Sequence, residues 1–185
     1  LEPWLAERWE SSDDGRTHTL FLRQGVSWSD GTPFTSADVL FSFDALYDTS
    51  AGAVITGSLM PGGQPIRASA PDDHTVVLTF AAPAGPGLGL LDIVPILPRH
   101  ALGPALAGGT FAQAWSVSTP PAQIVGLGPF VVRDYQPGQR VTFERNPHYW
   151  RSAADGTRLP YLDRLILEIV PDQNAELLRQ IGRAS

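Results

Sequence analysis

GLGPFVVRDYQPGQRVTFERNPHYW, residues Gly126 to Trp150, is the stretch on which the reading of this chain turns. Two β-prone runs, Phe130 to Tyr135 and Arg140 to Arg145, flank Gln136-Pro137-Gly138-Gln139, in which Pro presets one turn dihedral and Gly accepts the unusual one that follows. The spacing predicts a β-hairpin. Phe130 and Val132 then share a face with Val141 and Phe143, while Arg133, Arg140, Thr142 and Glu144 reach water, an alternation that is serviceable though imperfect. Upstream, Gly126 and Gly128 allow a tight backbone path and Pro129 fixes where the strand begins. Downstream, Asn146-Pro147 marks a turn and Tyr149-Trp150 is a large aromatic anchor.

Outward from the hairpin, the N-terminal part reads as strands Leu5 to Glu10 and Thr17 to Arg23 around Ser11 to Gly15, whose Asp-Gly pair signals a tight turn. Asp13 and Asp14 have no spaced oxygen ligands after them, so a solvated turn is favoured over a calcium loop. A helix from Ser36 to Tyr47 follows, with Thr35 as N-cap, Asp38 three residues on, and Val39, Leu40, Phe43, Leu46 and Tyr47 on one core-facing side. Asp30 and Asp38 form a conceivable acid and base pair for glycoside hydrolysis, but a turn and a cap account for them more economically. Further strands are expected at Ile66 to Ala70 and Thr75 to Phe80, a strand buried on both faces at Leu90 to Leu97, and a short helix at Phe111 to Trp115. Ser152 to Leu159 reads as a polar loop and Tyr161 to Val170 as a strand with Leu165, Leu167 and Ile169 on one face. A last helix is capped by Asp172 and carries Leu177, Leu178 and Ile181. The fold class is mixed α/β.

The motif G-x-G-P-aromatic, a hairpin, then Arg-Asn-Pro-x-Tyr-Trp resembles the family 5 extracellular solute-binding proteins, the peptide, dipeptide and nickel receptors of ABC importers. Two further stretches carry the same resemblance in the same order: Arg23-Gln24-Gly25-Val26-Ser27-Trp28-Ser29-Asp30-Gly31-Thr32-Pro33-Phe34-Thr35-Ser36-Ala37-Asp38-Val39, and Tyr161-Leu162-Asp163 through Pro171-Asp172. The resemblance implies a periplasmic-binding-protein-like lobe with a mixed sheet, packed helices and hairpins, and an incomplete second lobe. Residues 1–160 would be part of the first lobe and 161–185 the crossing into the second. It also implies a monomeric receptor outside the cytoplasm, periplasmic or extracellular, with a leader or lipid anchor upstream of Leu1. Its partners would be a peptide-like small solute and the permease subunits of the importer.

Composition narrows the field independently. The chain has 185 residues, 43% of them hydrophobic, which suffices for one core. A net charge of -6 disfavours a nucleic-acid partner. All 13 basic residues are Arg, so no lysine Schiff base or phosphate-loop lysine can form. There is no cysteine, hence no disulfide or thiolate metal site, and His18, His74, His100 and His148 are scattered rather than at ligand spacing. No serine-nucleophile elbow or His-Glu-x-x-His motif occurs. No catalytic group, metal or cofactor is therefore expected, and the chain reads as a binding module rather than an enzyme.

The residues assigned to the wall of a ligand cleft are Val94, Pro95, Ile96, Gly126, Leu127, Gly128, Pro129, Phe130, Arg145 and Trp28. A guanidinium suits a ligand carboxylate, although for Arg145 a brace at the hairpin end is the stronger alternative. Trp28 and Trp150 can stack on a ligand, with core anchoring the blander role for Trp150. Two other functional classes remain open on sequence alone: a solute sensor fused to a regulator, and a glycan-binding or glycan-cleaving domain using the five Trp and the paired Asp.

Overall fold

The computed structural model describes residues 3–52, 56–83 and 87–170. Strands β1 (Ala6–Ser11) and β2 (Thr17–Leu22) form the predicted hairpin, closed by Ser12 N donating to Thr17 O at 2.9 Å and by Gly15 at φ 64°. Asp14 accepts Ser12 Oγ and Arg16 N there, which makes it part of a turn. With β3 (Arg67–Asp72) and β4 (Thr75–Thr79), these strands make an antiparallel sheet of order β1-β2-β4-β3. Val76 and Leu78 of β4 are buried while Thr75, Val77 and Thr79 are less so, the period-2 signature of a sheet with one face on a core.

Helix α1 (Ser36–Tyr47) lies on that face and has the predicted bounds. Its burial differs from the expected single stripe: Phe41, Ser42 and Ala45 are buried along with Val39, Phe43 and Leu46. The reason is a second cover. Helix α2 (Arg99–Ala107) packs against α1 on the side away from the sheet, and a helix sandwiched in this way must be apolar most of the way round. Leu22, Val26, Trp28, Phe34, Leu59, Ile66 and Phe80 complete the core. Each such side chain contributes roughly 1.5–3 kcal/mol when fully buried.

Leu90 to Leu97 is not the expected buried strand. Gly87–Ile93 winds as a 3-10 helix and residues 94–98 belong to no helix or strand; Ile93 is 48% exposed, and Asp92 and Pro95 are exposed as well. Pro95 and Pro98 lack the N–H groups a central strand requires, and Asp92 cannot be buried unpaired. The following helix α2 was not legible locally, because Gly103 and Pro104 sit inside it and its start is capped from a distant residue. Helix α3 (Phe111–Ala114) falls where the short helix was expected.

The hairpin of β5 (Phe130–Gln136) and β6 (Arg140–Arg145) turns at Gly138, φ 71°, with Gln139 N on Gln136 O. A bulge between Val132 and Asp134 shifts the alternation, so Val132 faces Phe143 but Tyr135, not Asp134, faces Val141. The shift is the physical origin of the imperfect pattern. Strand β7 (Arg164–Glu168) adds to β6 as a third strand, with Glu144 opposite Arg164 and Arg140 opposite Glu168. Leu165, Ile166 and Leu167 are all exposed, so the single covered face expected for this strand is absent among the described residues. The helix expected from Asp172 lies outside them. No helix among the described residues is long and apolar enough to cross a membrane.

Candidate ligand-binding site

Where the 3-10 segment, the outer part of the first sheet and the Gly-rich loop before β5 approach one another, they form an open cavity of about 500 Å³. Val94 and Ile96 line one side and Leu127, Gly128 and Pro129 another; Trp4, Leu5 and Trp9 come from the first strand and its approach, Leu20 from β2, Leu88 and Leu91 from the 3-10 turn, and Tyr149 from beyond the second hairpin. Among the described residues, Asp92 is the only ionisable carboxylate on this lining. A mostly apolar concavity with few polar groups, built by irregular segments on a rigid sheet, is what small-molecule sites commonly look like.

Neither wall is helix or strand, so each must satisfy its backbone elsewhere. Leu97 N donates to Ser42 Oγ at 2.8 Å, and Ser42 Oγ donates to Asp38 O at 2.7 Å. Gly126 is clasped twice by Ser29, whose N donates to Gly126 O at 3.0 Å and whose Oγ accepts Gly126 N at 3.1 Å. Asn146, 0% exposed, donates Nδ2 to Gly128 O at 2.8 Å and its backbone N to Pro129 O at 2.9 Å. Asn146 Oδ1 accepts His148 N, the turn predicted at Asn146-Pro147.

Five of the expected wall residues therefore meet in one cavity: Val94, Ile96, Leu127, Gly128 and Pro129. Gly126 lies behind them on Ser29, Pro95 is exposed, and Phe130 starts β5 opposite Arg145. Arg145 is on a different surface. Its Nη2 meets Asp163 Oδ1 at 2.7 Å and donates to Tyr161 O at 3.1 Å, the bracing arrangement, and it shares a shallow concavity with Glu144, Asp163 and Arg164. Trp28 is corrected outright: at 1% exposure it is core, with Nε1 donating to Asp38 Oδ2 at 3.2 Å, and no solute can stack on it.

The sequence reading missed Trp4, Trp9, Leu20 and Tyr149. Trp9 had a signal, as the one large apolar side chain in the polar strand AERWES. Trp4 stands edge-on to Trp150 at 5.5 Å, with Arg151 over the Trp4 ring at 4.3 Å and Arg23 over Trp150 at 4.9 Å. Trp150 packs against the core, its expected anchoring role, and fixes the rim at Trp4.

A wider groove of about 840 Å³ runs between α1 and α2, lined by Asp38, Phe41, Asp48, Arg99 and His100 among others. Asp38 is spent on structure: its carboxylate accepts Thr35 N, Trp28 Nε1 and Arg99 N. Asp30 accepts Thr32 N at 3.0 Å and pairs with His100 Nε2 at 2.7 Å. The carboxylates thus have the turn and cap roles favoured on sequence, and glycoside hydrolysis gains nothing from the geometry. No group of three or more His, Asp or Glu able to hold a metal ion occurs among the described residues.

Burial raises the Asp30 pKa, but the Thr32 N–H and the His100 ring outweigh it and hold the carboxyl below its usual value. A carboxyl depressed in the folded state stabilises it above the unfolded pKa, near 4, and that contribution is lost as pH falls through the lower folded pKa. The stability gap between wild type and Asp30→Asn is thus expected to shrink as the pH falls below about 4. Urea titrations at four pH values measure it; a gap that ignores pH would show that the carboxylate charge plays no part.

The matches to known proteins agree with this architecture. Residues 1–181 match the profile of the bacterial extracellular solute-binding proteins, family 5 (middle), and the chain belongs to that family. It is 31% identical over 181 residues to a probable ABC transporter-binding protein of Deinococcus radiodurans, covering 95% of this chain and 30% of that protein. The dipeptide-binding protein of Escherichia coli is also 31% identical, with 92% of this chain and 32% of that protein covered. In three dimensions it superposes on the ABC transporter substrate-binding protein CtaP of Listeria monocytogenes with a TM-score of 0.79 at 30% identity, over 97% of this chain and 34% of the other. The chain thus spans about a third of the length of the relatives it matches. The fold is the mixed α/β fold of periplasmic binding proteins.

Proposed function

We propose that the protein containing this chain is the receptor of an ABC importer, which captures a peptide-like solute outside the cytoplasm and passes it to the permease. Residues 1–160 supply part of its first lobe, and 161–185 lead toward the second. The receptor works as a monomer and carries out no chemistry on its solute. Closure of a second lobe over the solute excludes water and strengthens polar contacts to it. The observation that carries the reading is the apolar cavity walled by Val94, Ile96 and Leu127 to Pro129 in a chain of this family. The names of its relatives, among them peptide-binding and dipeptide-binding proteins, support a peptide-like solute.

Such a cavity suits one apolar side chain of the solute. Val94→Trp in the full-length receptor is expected to fill it and weaken binding of the co-purifying solute, identified by mass spectrometry, at least ~30-fold, or about 2 kcal/mol. The melting temperature should stay within a few degrees. Unchanged affinity by calorimetry would remove the cavity from the binding site.

A further inference from the structure

We infer that Ser42 and Asn146 are positioning residues that set the width of this cavity and so its selectivity for the size of a solute side chain; the inference rests on the proposed receptor function. Both side chains are among the most buried polar groups of the fold, Ser42 at 2% and Asn146 at 0% exposure. Neither touches the cavity lining as a wall residue; both end on the backbone of the segments that do. Ser42 reaches across 55 positions of sequence to hold Leu97, one residue beyond Ile96. Asn146 holds the carbonyl of Gly128 itself.

The walls they hold have no other regular support. Residues 94–98 pair with no strand, and residues 126–129 lie before β5 begins. A buried polar group bonded to loop backbone fixes that loop because breaking the bond strands a donor or acceptor away from water. Ser42 is also tied to its own helix through Asp38 O, so the Val94 wall is referenced to α1, the most buried helix of the fold. The Gly128 wall is referenced to the end of β6 through Asn146, which follows Arg145 directly. These two side chains thus tie the cavity's walls to two regular elements, beside the clasp of Ser29 on Gly126 and the backbone bond from Asn146 N to Pro129 O. Removing either should let one wall drift without deleting any surface that a solute touches.

The test uses the full-length receptor and two probes, Ala-Ala-Ala and Ala-Phe-Ala, titrated by calorimetry. Wild type is expected to bind Ala-Phe-Ala at least tenfold tighter. In Ser42→Ala and in Asn146→Ala that preference should fall to threefold or less. A purely structural role would lower the melting temperature and leave the ratio of the two affinities where it was, so a wild-type ratio in both folded variants overturns the positioning role. A wild type that binds neither probe, or binds both equally, overturns instead the apolar peptide-like reading on which the inference rests. If a variant does not fold, amide exchange in the wild type decides. Leu97 N–H should be protected to the level of the α1 amides, and exchange at the rate of an open loop overturns the inference.

Discussion

Asp38→Ala is expected to cost the fold about 4 kcal/mol, a large part of the total stability of a domain this size. The carboxylate of Asp38, a residue 4% exposed, joins three segments: Thr35 N at the start of α1, Trp28 Nε1 from the loop before it, and Arg99 N at the start of α2. Alanine leaves three N–H groups without an acceptor, each worth roughly 1–3 kcal/mol when it stays buried, with partial relief as water enters beside α2. Asn in its place keeps one good acceptor oxygen and turns the other into a donor facing donors, so it should recover no more than about half. Chemical denaturation measures both. A loss under about 1 kcal/mol for Asp38→Ala would show that the three segments are held by packing alone.

Trp28→Ala is the second large effect, about 4 kcal/mol, in the range for deleting a buried aromatic side chain. The indole packs edge-on against Phe34 at 6.3 Å and near His100 at 6.1 Å. The milder Trp28→Phe keeps much of that volume and removes only the donor to Asp38, at an expected cost of about 1 kcal/mol. Because Trp28 and Asp38 share a hydrogen bond, the double variant Trp28→Phe with Asp38→Ala should lose less than the sum of the two single losses. Solute affinity of folded Trp28→Phe in the full-length receptor is expected to stay within about twofold of wild type. Lost affinity at unchanged stability would restore the stacking role that the burial of this side chain denies.

What sequence could and could not give away follows from where each determinant sits. Helix α1 was readable because its cap, Asp38, and its apolar spacing lie within the helix and its first turn. Helix α2 was not, since the acceptor for Arg99 N is 61 positions away and its own interior holds Pro104. Val94 and Ile96, expected on a cleft wall, do line a cavity, while the conformation around them was misread as a strand: an apolar run looks the same whether it fills a sheet or lines a hollow. Trp28 failed for the opposite reason. An indole in a loop suggests a platform for a ligand, and only the three-dimensional placement of Phe34 and Asp38 shows it closed over. Trp4, Leu20 and Tyr149 meet through pairings between distant parts of the chain, so no local window contained them.

Strand β7 carries similar aliphatic side chains above and below, so hydrophobicity gives it no cue against sliding along its neighbour. The cue comes from its ends, where Arg164 stands across from Glu144 and Glu168 across from Arg140, with Arg164 Nη2 reaching Glu144 Oε1 at 3.4 Å. A displacement by two positions keeps every aliphatic residue on its own side but separates both opposite charges. Charge thus favours this alignment where hydrophobicity is indifferent, and strong salt should weaken that preference.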